Sequence, residues 1–178
     1  MEKVDAALAS LSKASMMPKN AEIKDSIDWY EDLKFGDHIA VWSPPLGGRL
    51  DVGYFHHGVY LGQKAVAHYP RDTNGPRAIR LSEFFNGHKE YYIVRYDEED
   101  RDDISRRLTV TAAQYFVEFP RSIEKYNLLT VNCEYFATFC KTGTATSAQI
   151  DILMSVLPVL ADGIGQLAAV SFGSCVIS

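Results

Sequence analysis

Two short segments, Phe55 to Leu61 and Ala65 to Tyr69, alternate bulky and small side chains with only a brief glycine-containing link between them. That spacing constrains the fold more than any other feature. Period-two alternation marks strands, and a short link with a glycine makes two such strands antiparallel neighbours. With the turn centred on Gly62, residues equidistant from it pair, which sets His56 opposite His68 on one face of a hairpin and turns His57 the other way. A bulge in the loop would shift that register.

About seventy residues later stands Asn132-Cys133-Glu134-Tyr135-Phe136. Asn132 is a good helix N-cap. Glu134 to Thr142, with Tyr135, Phe136, Phe139 and Cys140 recurring at three and four, reads as an amphipathic helix that Gly143 ends. Cys133 is thereby expected in the first turn, where free backbone N–H groups and the helix dipole favour a thiolate and offer an oxyanion hole. An unactivated thiol is only slightly ionised at neutral pH, so such a setting, with a histidine partner, is what a cysteine nucleophile needs.

The pattern His-x-Gly-x-Tyr-x-Gly from His56 to Gly62, a second histidine twelve residues on at His68, and Asn-Cys-Glu-x-Phe resemble the lecithin:retinol acyltransferase and HRAS-like suppressor family of thiol enzymes. The likeness spans roughly Leu33 to Gly143 and takes in Gly36-Asp37, Ile39-Ala40-Val41 and Tyr126-Asn127-Leu128-Leu129. It implies an α+β, circularly permuted papain-like (NlpC-like) fold, with an antiparallel sheet packed against the helix that carries the cysteine. It also implies a phospholipid acyl hydrolase or acyltransferase working through an acyl-cysteine thioester. On that resemblance Cys133 is the nucleophile, His56 the general base and His68 the residue that orients it. The implied partners are a phospholipid acyl donor, a lipid amine or alcohol acceptor, and a membrane surface. No cofactor or metal is called for. Tyr60 and Glu134 match the motif without an assigned role.

Two other functions fit the same residues less well. A permuted papain-like isopeptidase also pairs a histidine strand with an Asn-Cys helix start, but a simple dyad needs no His68. A catalytically silent membrane adaptor would keep the fold, but has no use for an intact set of His56, His68 and Cys133. Zinc is disfavoured too, because histidines twelve apart with a distant cysteine lack ligand spacing and suggest no fourth ligand. Cys140 is expected in the core, His57 without a role, and His38 and His88 at the surface. Arg101, Arg106 and Arg107 are expected on a solvated helix face.

The 178 residues, 47% hydrophobic and 23% charged, suffice for one compact catalytic domain. A net charge of -5 without a basic stripe excludes a nucleic-acid partner, and the oligomeric state stays open. Three cysteines suggest a reducing compartment rather than a disulfide framework. The expected division is an N-terminal helical extension over 1–32, a catalytic domain over 33–143 and a hydrophobic segment over 144–178. In the first, Val4, Leu8 and Leu11 repeat at helical spacing, the acidic opening excludes a secretory signal, and Met16 to Asn20 reads as a linker. Ser43 to Gly53 reads as a loop between the first strand and the histidine strand, which the resemblance sets near the active site, Glu90 to Tyr96 as a strand, and Ile104 to Phe119 as a helix. Ile150 to Val170 is apolar but cut by Asp151, Pro158 and Asp162, and reads as either a membrane-associating segment or a packed amphipathic helix. Cys175-Val176-Ile177-Ser178 has the form of a farnesylation box, so a cytoplasmic protein held peripherally on membrane is the expectation.

Overall fold

A computed structural model describes residues 12–25, 33–43, 53–71, 73–88, 90–96, 102–127, 129–156 and 158–159. Most of the expected helix from Val4, most of the loop from Ser43, the run beyond residue 160 and the Cys175 box lie outside them.

Six strands form one antiparallel sheet: β1 (Ala21–Asp25), β2 (His38–Ser43), β3 (Tyr54–Gly62), β4 (Ala65–His68), β5 (Arg77–Arg80) and β6 (Glu90–Val94), in the order β1-β6-β2-β3-β4-β5. β1 draws residues of the expected N-terminal extension into the sheet. Met16, expected in a linker, is 2% exposed and belongs to the short helix α1 (Lys13–Met16).

Alternation along the strands gives the sheet two apolar faces. Ile39, Val41, Tyr60, Val66 and Ile93 share one face with Leu81, Phe84 and Phe85 of α2 (Leu81–Phe85). Val59, Ala67 and Tyr69 share the other with Ala113 of α3 (Asp103–Glu118) and with Phe136, Ala137 and Cys140 of α4 (Cys133–Thr142). Cys140, two helical turns beyond Cys133, is core as expected. Farther along that face, Ile152 and Leu153, from a helix over 148–156, pack near Met16, Ala40, Phe55 and Tyr92. The described start of the apolar C-terminal run is therefore a packed helix. Among the described residues no helix is long and apolar enough to cross a membrane.

Gly36 and Asp37 anchor α3 to the sheet. Asp37 Oδ1 accepts from Arg106 Nη1 at 2.6 Å with both side chains nearly buried, and Arg106 Nη1 also donates to the Phe35 carbonyl. Arg106 is thus not on a solvated helix face. Its backbone packs so closely that a Cβ on Gly36, at φ +79°, would lie 2.7 Å from the Arg106 carbonyl oxygen.

Candidate active site

The hairpin joining β3 to β4 turns on Gln63 and Lys64, both at positive φ (50° and 61°), the backbone that a two-residue type I′ turn requires. The turn is not centred on Gly62. Gly62 pairs with Ala65, Leu61 is an extra residue, and beyond it Tyr60 pairs with Val66 and Gly58 with His68. His68 therefore faces Gly58 rather than His56. The histidines still share a face as diagonal neighbours, and His56 Nε2 lies 2.7 Å from His68 Nδ1.

Phe84 explains the glycine between them. A Cβ on Gly58 would lie 2.7 Å from Val66 Cγ1 and 2.9 Å from Phe84 Cε2, so the space above Gly58 is filled by the Phe84 ring. That ring stands 5.3 Å from the centroid of His56 and 6.1 Å from that of His68, walling the pair. On the open side lies a cleft of about 480 Å³ lined by Tyr54, His56, Arg71, Arg77 and His88, among others. His88, expected at the surface, is half-buried on that wall.

Cys133 begins α4, where Asn132 Oδ1 caps the helix by accepting from Tyr135 N at 2.9 Å and Gly143 closes it at φ +71°. The thiol is 1% exposed and donates to the Phe55 carbonyl at 3.7 Å. It sits along the edge of β3 that β4 leaves open past His68. The N–H groups of His57, Cys133 and Glu134 are directed at the sulfur and favour the thiolate. Burial outweighs them and pushes the thiol up to about 12, so the thiolate expected from the helix terminus is not the resting form. His56 is pushed down to about 4 and His68 to about 3, chiefly by burial, so both rings rest neutral at physiological pH. The structure joins His56 to His68 by a hydrogen bond. The thiol's own bond goes to Phe55.

Glu134 has a structural task. Its Oε2 accepts from Ser147 Oγ at 2.6 Å and Gln149 N at 3.0 Å, while Asn132 Nδ2 donates to Ser147 Oγ at 3.1 Å. Gln149, so held, takes the place of a strand: Phe55 N donates to its Oε1 at 2.7 Å and its Nε2 donates to the Phe55 carbonyl at 3.0 Å.

Two groups near the site escaped the sequence. Burial, reinforced by the neighbouring Cys133 thiol, holds the Tyr126 hydroxyl well above the usual phenol range. His38, expected at the surface, is 1% exposed, bonding His57 Nδ1 through Nε2 and the Tyr96 hydroxyl through Nδ1, each at 2.8 Å. His57, expected to lack a role, is thus half of a second buried pair, and its Nε2 has no hydrogen-bond partner among the described residues. Tyr126 opens the Tyr126-Asn127-Leu128-Leu129 run that leads into the cysteine motif, which was its one visible signal. Among the described residues no group of three or more His, Cys, Asp or Glu side chains could hold a metal ion.

No curated protein matches the chain. The family model described as Lecithin retinol acyltransferase matches residues 31–146, a stretch that contains His56, His68 and the cysteine helix. The chain belongs to the lecithin retinol acyltransferase family, and membership points to acyltransferase- or phospholipase-type chemistry in general.

Proposed function

We propose that the protein is a thiol-dependent phospholipid acyl hydrolase and acyltransferase on a permuted papain-like frame. The observation that carries the reading is the 2.7 Å bond between His56 and His68 in a chain of this family whose motif nucleophile, Cys133, opens a capped helix. With the resting pair a neutral imidazole and a protonated thiol, the nucleophile forms by general-base transfer during attack. The Cys133 proton passes to His56 as sulfur bonds to the ester carbonyl carbon. The tetrahedral intermediate then collapses, the lysophospholipid oxygen leaves with the proton from His56, and an acyl-cysteine thioester remains. Water, a lipid amine or an alcohol attacks that thioester, giving its proton to His56, and the departing thiolate is reprotonated. His68 holds the His56 ring in place through both stages. The N–H groups of Cys133 and Glu134 are suited to receive the developing oxyanion.

One observation favours the silent-adaptor reading instead: a thiol 1% exposed and hydrogen-bonded to a backbone carbonyl. Fatty-acid release from phosphatidylcholine vesicles separates the two. The enzyme reading expects release by wild type, none by Cys133→Ala, and a fall of about 10²-fold or more in His56→Ala. A wild type as inert as Cys133→Ala leaves the adaptor.

A further inference from the structure

The cleft beside His56 carries positive charge that the acyl chemistry does not use. Arg71, Arg77 and His88 line it, with Glu83 as the carboxylate among the lining residues, and Glu83 already accepts from the Arg80 N–H at the cap of α2. Arg77 is also tied to the histidine pair. It is the register partner of His68 across β4 and β5, and its Nε donates to His68 Nε2 at 3.4 Å.

That bond fixes where the protons sit. A guanidinium only donates, so His68 must offer a lone pair at Nε2, and neutral His68 then carries its proton on Nδ1. This proton lies between His68 Nδ1 and His56 Nε2, 2.7 Å apart, so His56 accepts there. Neutral His56 accordingly holds its own proton on Nδ1. In this arrangement the one ring nitrogen of His56 not bonded to His68 is a donor and cannot take a proton from a thiol.

We propose that the cleft binds the phosphate of the lipid donor, and that Arg77 is a positioning residue whose guanidinium leaves His68 for that phosphate and so frees His56 as a base. The inference rests on the phospholipid reading above. An arginine prefers a phosphate oxygen to an imidazole, because the charge-assisted, two-pronged contact is the stronger one. With Arg77 drawn off, a proton enters His68 Nε2 from solvent, the Nδ1 proton of His68 passes to His56 Nε2, and a proton leaves His56 Nδ1 to solvent. The pair's net charge is unchanged, and His56 Nδ1 now holds the lone pair that Cys133 needs. Headgroup binding, remote from the ester, would thus be converted into chemistry at the ester.

The test is ¹⁵N NMR of the imidazole nitrogens, which separates the two neutral tautomers without requiring turnover. In wild type His68 is expected to be protonated on Nδ1 alone and on Nε2 with saturating glycerophosphocholine. In Arg77→Met it is expected on Nε2 in both conditions. Inorganic phosphate in place of glycerophosphocholine tells a general anion site from one that needs the lipid headgroup. In the kinetic arm, Arg77→Met is expected to raise KM for phosphatidylcholine about 10- to 100-fold while raising turnover of an uncharged ester of the same acyl chain. His68 protonated on Nε2 in ligand-free wild type, or no tautomer change with either phosphate, overturns the proposal. Equal losses on the charged and uncharged esters do so as well. A wild type that switches tautomer yet cleaves neither ester would keep the phosphate site and sink the acyl-transfer reading.

Discussion

His56 Nε2 and His68 Nδ1 are 2.7 Å apart although His68 is register partner to Gly58, and the reason is the extra residue Leu61. A turn on Gln63 and Lys64 with no bulge would pair His68 with Val59 and put its ring on the opposite face of the sheet. The bulge, with Gly62 at φ +88°, returns it to the face of His56. Inserting one alanine between Tyr60 and Leu61 slides the strand by one and sets Val59 opposite His68, so it is expected to leave a folded sheet by circular dichroism and to abolish fatty-acid release. Retained release would show that the pair does not depend on this register.

Gly58→Ala tests the packing above the pair. Its new methyl would stand 2.7 Å from Val66 Cγ1 and 2.9 Å from Phe84 Cε2, and overpacking of this kind costs about 1–3 kcal/mol. Chemical denaturation should show that loss. Activity should fall further than stability, because Phe84 is the wall against which both rings rest.

Gln149 lies outside the family match at 31–146, yet it satisfies both backbone groups of Phe55, and the Phe55 carbonyl also takes the Cys133 thiol. Gln149→Ala strands a buried N–H and is expected to cost about 1–3 kcal/mol by denaturant titration. Truncation before residue 147 should be worse, because Glu134 then loses Ser147 as well.

Acid should weaken the fold in a defined window. His56, His57 and His68 are depressed from 6.5 to about 4, about 3 and about 3, with burial the leading cause. Between those values and 6.5 the unfolded chain binds more protons than the folded one, so stability rises with pH up to about 6.5 and is lost on descent toward about 3. Melting temperatures across that range check this. The acid limb of kcat/KM should likewise lie near 4, where His56 takes a proton, and not near 6.5.

The strands carrying the histidines, the capped cysteine helix and the buried Cys140 were legible in the sequence because each is a local pattern. The same-face placement of His56 and His68 survived a wrong register, since a shift of two residues preserves the face. What stayed hidden is non-local. β1 pairs with a strand some 65 residues away, His38 bonds Tyr96 across 58 positions, and Arg106 meets Asp37 across 69. No local composition announces such partners. The type I′ turn was obscured because Gln63 and Lys64 occupy positions usually given to Asn and Gly.

The central claim is that Cys133 becomes acylated. Intact-protein mass spectrometry after brief exposure to phosphatidylcholine tests it most directly, with Cys133→Ala as reference and rapid acid quench to trap a short-lived thioester. The account predicts an acyl-sized mass increment on wild type and none on the variant. Fatty-acid release by wild type with no increment at any quench time, or the same increment on both proteins, would contradict it.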